Sequence, residues 1–98
     1  MAHPGARELA RAASLEPAWS AAQYSLGVVY DASGRYEEAV EAFGAALRAD
    51  PRNVKARFER GLTHLFGLNN ETAARFEYEA LKAVDPEKAE ELFRLIYE

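Results

Sequence analysis

Apolar residues recur at helical spacing through most of the chain. Tyr36, Val40 and Phe43 fall on one face of a helix that ends before Pro51, and glutamates occupy the positions between them. The stretch before Tyr36 shows the same spacing, and Gly34 lies between the two stretches, where a helix end commonly needs a residue with positive φ. The pattern predicts two short helices that fold back on each other.

This two-helix pattern occurs more than once, with a period of 34 residues. The period separates four pairs of identical residues: Gly27 and Gly61, Ala39 and Ala73, Ala46 and Ala80, and Pro17 and Pro51. Four coincidences at one period are hard to obtain by chance, so we expect a stack of similar helix pairs rather than a single bundle.

The repeating unit resembles the tetratricopeptide repeat family, in which two antiparallel helices carry a Leu-Gly pair and a Tyr, then Ala, Phe, Ala and a closing Pro. The matching residues here are Leu26, Gly27, Tyr30, Ala39, Phe43, Ala46 and Pro51. The departure is Gln23, where the family often has an aromatic residue. The resemblance implies a single all-α domain over residues 1–98, an α-solenoid with a half-repeat helix at 7–16, repeats at 18–51 and 52–85, and a capping helix at 86–98.

Two residues of the first repeat call for an explanation. Gly27 lies inside a helix, which costs about 1 kcal/mol relative to alanine, so we expect it where the helices approach closely, opposite Ala39. Trp19 lies just before the predicted helix, and we expect it to pack back on the first turn as a hydrophobic staple. The alternative is an exposed anchor for a partner.

The second helix of repeat 2 has two conceivable registers. Strict spacing from Ala73 turns Glu77 inward toward Arg60, whereas a slip of one residue turns Ala74, Tyr78 and Leu81 inward and leaves Glu77 in water. The interval from Gly61 to Pro86 is one residue longer than that from Gly27 to Pro51. This extra residue favours the slipped register.

Composition and charge exclude several classes of function. A net charge of −4 and a pI of 5.2 argue against nucleic-acid binding, which depends on a basic surface. No apolar run approaches the roughly 20 residues that a membrane span needs. The absence of cysteine excludes disulfides and thiolate metal sites and fits a cytoplasmic protein.

No arrangement of residues indicates catalysis. The chain has two histidines, His3 and His64, and neither has an acidic residue at metal-ligand spacing beside it. We read His64 as a packed residue in place of the Tyr30 of repeat 1. The glutamates fall on predicted solvated helix faces. We therefore predict no enzyme activity, no metal and no cofactor.

The resemblance implies a concave surface lined by the first helix of each unit. Carried onto this sequence, the predicted contact residues are Tyr24, Val28, Phe58, Leu62 and Leu65 for apolar contact, with Lys55 and Arg94 as polar guides. A wide apolar helix face implies a partner or a cover. We expect a protein or peptide segment of apolar or amphipathic character, and the alternative is a homodimer in which another copy covers the groove.

One subset of the family binds acidic C-termini of chaperones through a clamp of Lys, Asn, Asn, Lys and Arg. The corresponding positions here are Tyr24, Val28, Glu59, Glu90 and Arg94. Only Arg94 agrees, so the sequence does not predict that specificity.

Overall fold

The computed structural model describes residues 17–98, which fold into helices and contain no strand. We number the helices in chain order and give the one π-helical segment by its position. The elements are α1 (Pro17–Ala32), α2 (Tyr36–Ala49), α3 (Val54–Leu62), a π-helix (Thr63–Gly67), α4 (Glu71–Val84) and α5 (Pro86–Tyr97). The half-repeat helix predicted at 7–16 lies outside the described residues.

The helices stack in the order of the sequence. α1 packs along α2, α3 packs against both α2 and α4, and α5 packs against α4 and, less extensively, against α3. The most extensive contacts join helices that follow each other in the chain. This is the arrangement of a solenoid built from helix pairs. The predicted all-α, repeat-like fold is confirmed.

Local residue chemistry sets the helix ends. The side chains of Asn53, Asn70 and Asp85 each accept a hydrogen bond from the backbone N–H three residues on, which caps α3, α4 and α5. Such caps stabilise a helix by about 1 kcal/mol. Pro86 occupies the first turn of α5, as predicted, and Gly34 has φ +78° in the turn between α1 and α2.

The first core cluster lies between α1 and α2. Phe43 is fully buried, with Ala39, Ala46 and Leu47 around it. A Cβ on Gly27 would lie 2.5 Å from Cε1 of Phe43. The expected close approach at Gly27 is therefore present, but the ring of Phe43, rather than Ala39, fills the space.

α1 buries only a narrow stripe against this cluster. Its buried residues are Ser20 and Gly27, and the large apolar side chains of Trp19, Leu26 and Val29 are exposed. The staple predicted for Trp19 is wrong, because α1 begins at Pro17 and places Trp19 within the first turn rather than before it.

The second core cluster joins α3, α4 and α5. It consists of Phe58, Leu81, Ala89 and Leu92, and Leu62, Tyr78 and Ile96 pack against its edge. Because α5 supplies two of the four buried residues, this helix closes the apolar face that α3 and α4 leave open. The predicted capping role of α5 stays a prediction.

The extra residue of repeat 2 lies at the end of its first helix. The five residues Thr63–Gly67 form a π-helix, whose wider turn absorbs one residue more than the equivalent part of α1. As a result, α4 corresponds to α2 with an offset of 35 residues. Ala74 and Leu81 are both fully buried, as Ala39 and Ala46 are, which confirms these two inward positions of the slipped register. Tyr78, the third, faces the second core cluster but is only half-buried.

Glu77 contradicts the other half of that prediction. It occupies the place of Ala42, which is also buried, and it is only 3% exposed rather than in water. Its Oε2 lies 2.7 Å from Nε of Arg60 and its Oε1 lies 3.2 Å from Nη1 of Arg57. The slip moves Ala74 and Leu81 inward, but the buried face of α4 is wide enough to include Glu77, which two arginines then neutralise.

A second polar contact joins α1, α2 and α3. Ser20 is buried, and its Oγ donates to the carbonyl oxygen of Ala46 at 2.7 Å and accepts from Nδ2 of Asn53 at 2.8 Å. Asn53 is also the N-cap of α3. This chain of hydrogen bonds therefore fixes the start of the second repeat against the first.

Candidate partner-binding surface

An apolar strip that is largely exposed runs across the first helices of the two repeats. Leu62 and Phe66 lie on one side of a shallow depression of about 270 Å³, with Asp31 of α1 on the other and Tyr36, Glu59 and Gly67 completing its lining. Val28 is exposed one helical turn before Asp31. We call Val28, Asp31, Glu59, Leu62 and Phe66 the concave surface.

The predicted contact residues of α1 lie at different depths. Tyr24 is half-buried because its ring packs on Phe43, with 5.8 Å between the ring centroids. Val28 is exposed, as is Lys55 at the start of α3. Val28 and Lys55 are thus accessible to a partner, and Tyr24 is partly accessible.

The predicted residues of α3 and the π-helix are more deeply placed. Phe58 is 8% exposed and belongs to the second core cluster, and Nζ of Lys88 lies 4.7 Å from its ring centroid. Leu62 and Leu65 are half-buried, and Leu62 both packs on that core and lines the depression. Phe58 therefore supports the surface from beneath.

Arg94 lies apart from the strip. Its Nη2 is 3.9 Å from Oε1 of Glu90 on the exposed side of α5. Arg94 lines a depression formed by residues of α5 alone, and it is not among the residues that line the depression beside Leu62.

Two carboxylates give the concave surface a negative centre. Oδ1 of Asp31 accepts a hydrogen bond from Oγ1 of Thr63 at 3.1 Å. Partial burial raises the pKa of Glu59, and the nearby charge of Asp31 raises it further, while Lys88 lowers it. Burial also raises the pKa of Tyr24, with a smaller contribution from Glu59.

Phe66 is not among the predicted contact residues, although it is 67% exposed beside Leu62. The π-helix shifts the direction of side chains after Thr63, so a regular helical wheel misplaces them. The signal available in the sequence was the extra residue between Gly61 and Pro86. The structure places that residue at the end of the first helix of repeat 2, in the π-helix.

Little in this part of the chain suggests chemistry. Among residues 17–98, no group of three or more His, Cys, Asp and Glu side chains is placed to hold a metal ion. No helix over the same residues is long and apolar enough to cross a bilayer. The ring of His64 is half-buried beside Glu77 and Arg60, at the position that corresponds to Tyr30 of repeat 1. This burial lowers the pKa of His64.

The repeat pattern and the stacked helix pairs agree with the comparison to known families. A family model described as tetratricopeptide repeat matches residues 3–43 and 24–88. No curated protein and no solved structure was found to match the chain. The two matches together cover most of the 98 residues, and the chain belongs to the tetratricopeptide repeat family.

Proposed function

We propose that this protein is a non-catalytic adaptor whose concave surface holds an amphipathic segment of a partner protein. Tetratricopeptide repeats generally mediate protein–protein interaction. We further propose a cytoplasmic location, which a chain without cysteine fits.

The observation that carries the proposal is the exposure of Phe66 next to Leu62. The side chain of Phe66 is two-thirds exposed at the rim of the depression. A partner that covers it removes apolar surface from water, which favours binding. Full burial of such a side chain is worth about 1.5–3 kcal/mol. Aromatic residues of this kind often dominate the energy of an interface.

The carboxylates of Asp31 and Glu59 indicate what else the partner segment carries. They lie beside the apolar strip and influence each other electrostatically. A Lys or Arg on the partner would relieve this repulsion while leucines or similar residues contact Val28, Leu62 and Phe66. The preferred partner is therefore an amphipathic helix with a basic edge.

A model peptide tests this proposal. We would titrate the protein with an amphipathic helical peptide of leucine and lysine, about 15 residues or four turns long, and follow backbone amide shifts by NMR. We expect the shifts to concentrate at Val28, Leu62 and Phe66. Binding should weaken at least about tenfold, or 1.4 kcal/mol, in Phe66→Asp.

Phe76→Asp is the matched control, because Phe76 is 69% exposed on α4 and does not line the concave surface. Both variants add the same charge at a phenylalanine of nearly equal exposure. Equal loss of binding in the two variants, or a larger loss in Phe76→Asp, would refute the concave surface as the binding site.

Self-association is the second candidate function. One observation favours it: Trp19, Leu26 and Val29 expose apolar side chains on α1, which a second copy could cover. In that case the apparent mass would rise with concentration, and Leu26→Asp would abolish the rise while Phe66→Asp would not.

A further inference from the structure

A stripe of two arginines and a histidine occupies the side of α3 and the following π-helix that faces away from the concave surface. Arg57, Arg60 and His64 follow one another at i, i+3 and i+7, whereas Glu59 and Leu62 lie on the other side of the helix. Arg60 lines two shallow depressions, one against α2 and one against α4. The stripe therefore forms the floor of a cleft between the second helices of the two repeats.

Glu77 uses only part of the positive charge in this cleft. It contacts Arg57 through Nη1 and Arg60 through Nε, and its side chain is 4% exposed. The guanidinium of Arg60 extends beyond Glu77 and reaches α2. Its Nη1 lies 3.1 Å from the position that a Cβ on Gly44 would occupy. The outer edge of Arg60 is thus directed toward α2.

A second arginine meets Arg60 over Gly44. Nη1 of Arg48 lies 3.6 Å from the same Cβ position, and Arg48 is exposed. Glu41 lines the depression too, but neither it nor any other described carboxylate comes within 4 Å of Arg48. Both guanidinium groups therefore approach one point over Gly44, where a bound anion would lie between two positive charges.

The floor of the cleft also holds buried polar atoms that the described residues do not satisfy. Nε of Arg60 touches Glu77 without hydrogen-bond geometry, and Nδ1 of His64 has no hydrogen-bond partner. Buried polar atoms normally have a partner, so each one calls for an explanation. Both residues line the depression against α4, of about 430 Å³.

We propose that this cleft binds a carboxylate from an acidic segment of a partner protein, seated between Arg48 and Arg60 over Gly44. We call this site the arginine cleft. It lies across α3 from the concave surface and does not depend on it.

The chemistry favours a carboxylate over a phosphate. Arg48, Arg57 and Arg60 face Glu41 and Glu77, which leaves one positive charge in excess, and a single carboxylate matches that charge. A dianionic phosphate would carry one negative charge more than this excess. The net charge of −4 also disfavours a polyphosphate backbone.

The surroundings favour a side chain of a protein over a free acid. Phe76 is 69% exposed beside His64 and Thr72 in the adjoining depression, where it can contact an apolar neighbour of the bound acidic residue. Guanidinium groups bind carboxylates through paired N–H donors, which fixes the direction of approach.

The test uses a hexapeptide of glutamate with blocked ends, so that only side-chain carboxylates carry charge. We would follow the Nε–Hε signals of the arginines by NMR at low salt, with a hexapeptide of glutamine as the neutral control. We expect the glutamate peptide to shift Arg48 and Arg60. Affinity should fall about tenfold, equivalent to 1.4 kcal/mol, in Arg48→Gln.

Arg52→Gln is the matched control, because Arg52 is also exposed but does not line the cleft. Arg48 is exposed as well, so both variants are expected to fold, which circular dichroism verifies. Equal affinity in the two variants, or shifts spread evenly over all arginines, would overturn the proposal. Tighter binding of inorganic phosphate than of the peptide at Arg48 and Arg60 would overturn the choice of ligand.

Discussion

The buried carboxylate of Glu77 offers the sharpest test of how repeat 2 is built. The proposed change is Glu77→Ala, which gives α4 the residue that α2 carries at the equivalent position, Ala42. If packing alone mattered, alanine would be well tolerated there. The variant removes the carboxylate that both Arg57 and Arg60 contact, so its effect reports the ion pairs.

The expected magnitude follows from burial. Two unit charges about 4 Å apart attract by about 4 kcal/mol at an effective dielectric constant of 20, and the desolvation of the carboxylate offsets much of this. Removing one partner of a fully buried pair costs about 3–5 kcal/mol. Here the arginine side chains are 17% and 21% exposed and can regain water. We therefore expect a loss of about 2–3 kcal/mol in the free energy of unfolding.

Urea denaturation followed by circular dichroism measures this loss. Glu79→Ala is the matched control: Glu79 lies on the same helix and pairs with Lys82 at 3.1 Å, but its side chain is 59% exposed, so we expect no measurable change. A loss in Glu77→Ala as small as that of the control would refute the reasoning. It would mean that Glu77 lies in water.

A double-mutant cycle separates the ion pair from packing. Arg60→Leu with Glu77→Ala gives repeat 2 the residues of repeat 1 at these positions, Leu26 and Ala42. Replacing a buried ion pair with apolar residues is often neutral or stabilising, so the double variant should be more stable than the sum of the single losses predicts, by about 1–2 kcal/mol. Simple additivity would show that the two side chains do not interact.

Three further predictions concern the packing and protonation of single residues. Gly27→Ala should lower the free energy of unfolding by about 1–3 kcal/mol, because the new Cβ would press on the Phe43 ring, and a change below the error of urea denaturation would contradict the contact. Ser20→Ala should cost about 1–3 kcal/mol because Nδ2 of Asn53 loses its acceptor, and an unchanged thermal midpoint would contradict this. Burial lowers the pKa of His64, so the folded state resists protonation, and the free energy of unfolding should fall as the pH drops below 6.5, the ordinary pKa of histidine. His64→Gln should reduce that fall between pH 7.5 and 5.5. An identical pH profile in the variant and the wild type would contradict the assignment.

The periodic features of the sequence were sufficient to predict the fold. The 34-residue spacing of Gly27 and Gly61 identified the helix pairs, and the N-cap of α5 at Asp85 followed from its position before Pro86. These features were predictable because each depends on residues close in sequence or on a strict repeat.

The sequence was less informative where two elements share a contact. The extra residue of repeat 2 was visible, but placing it required knowing that Thr63–Gly67 forms a π-helix. Glu77 was predicted to lie in water because the interval from Gly61 to Pro86 favoured the slipped register, and the inward pairing of Glu77 with Arg60 was tied to the other register. The structure combines the slipped register with that ion pair, because the buried face of α4 includes Glu77.

The predicted contact residues divide for a similar reason. Val28 and Lys55 lie on the outer sides of their helices and are exposed, as a helical wheel indicates. Phe58 faces α5, which covers it. The exposed fraction of Phe58 therefore depends on the path of the chain after Pro86. Their role in partner binding stays a prediction.

The central claim is that the concave surface is open to a partner protein. Light scattering over a tenfold range of concentration tests it most directly, with Phe66→Asp measured beside the wild type. We predict a monomer of 10.9 kDa at every concentration for both proteins. A wild-type dimer that Phe66→Asp converts to monomer would contradict the claim, because a second copy would then already occupy the surface.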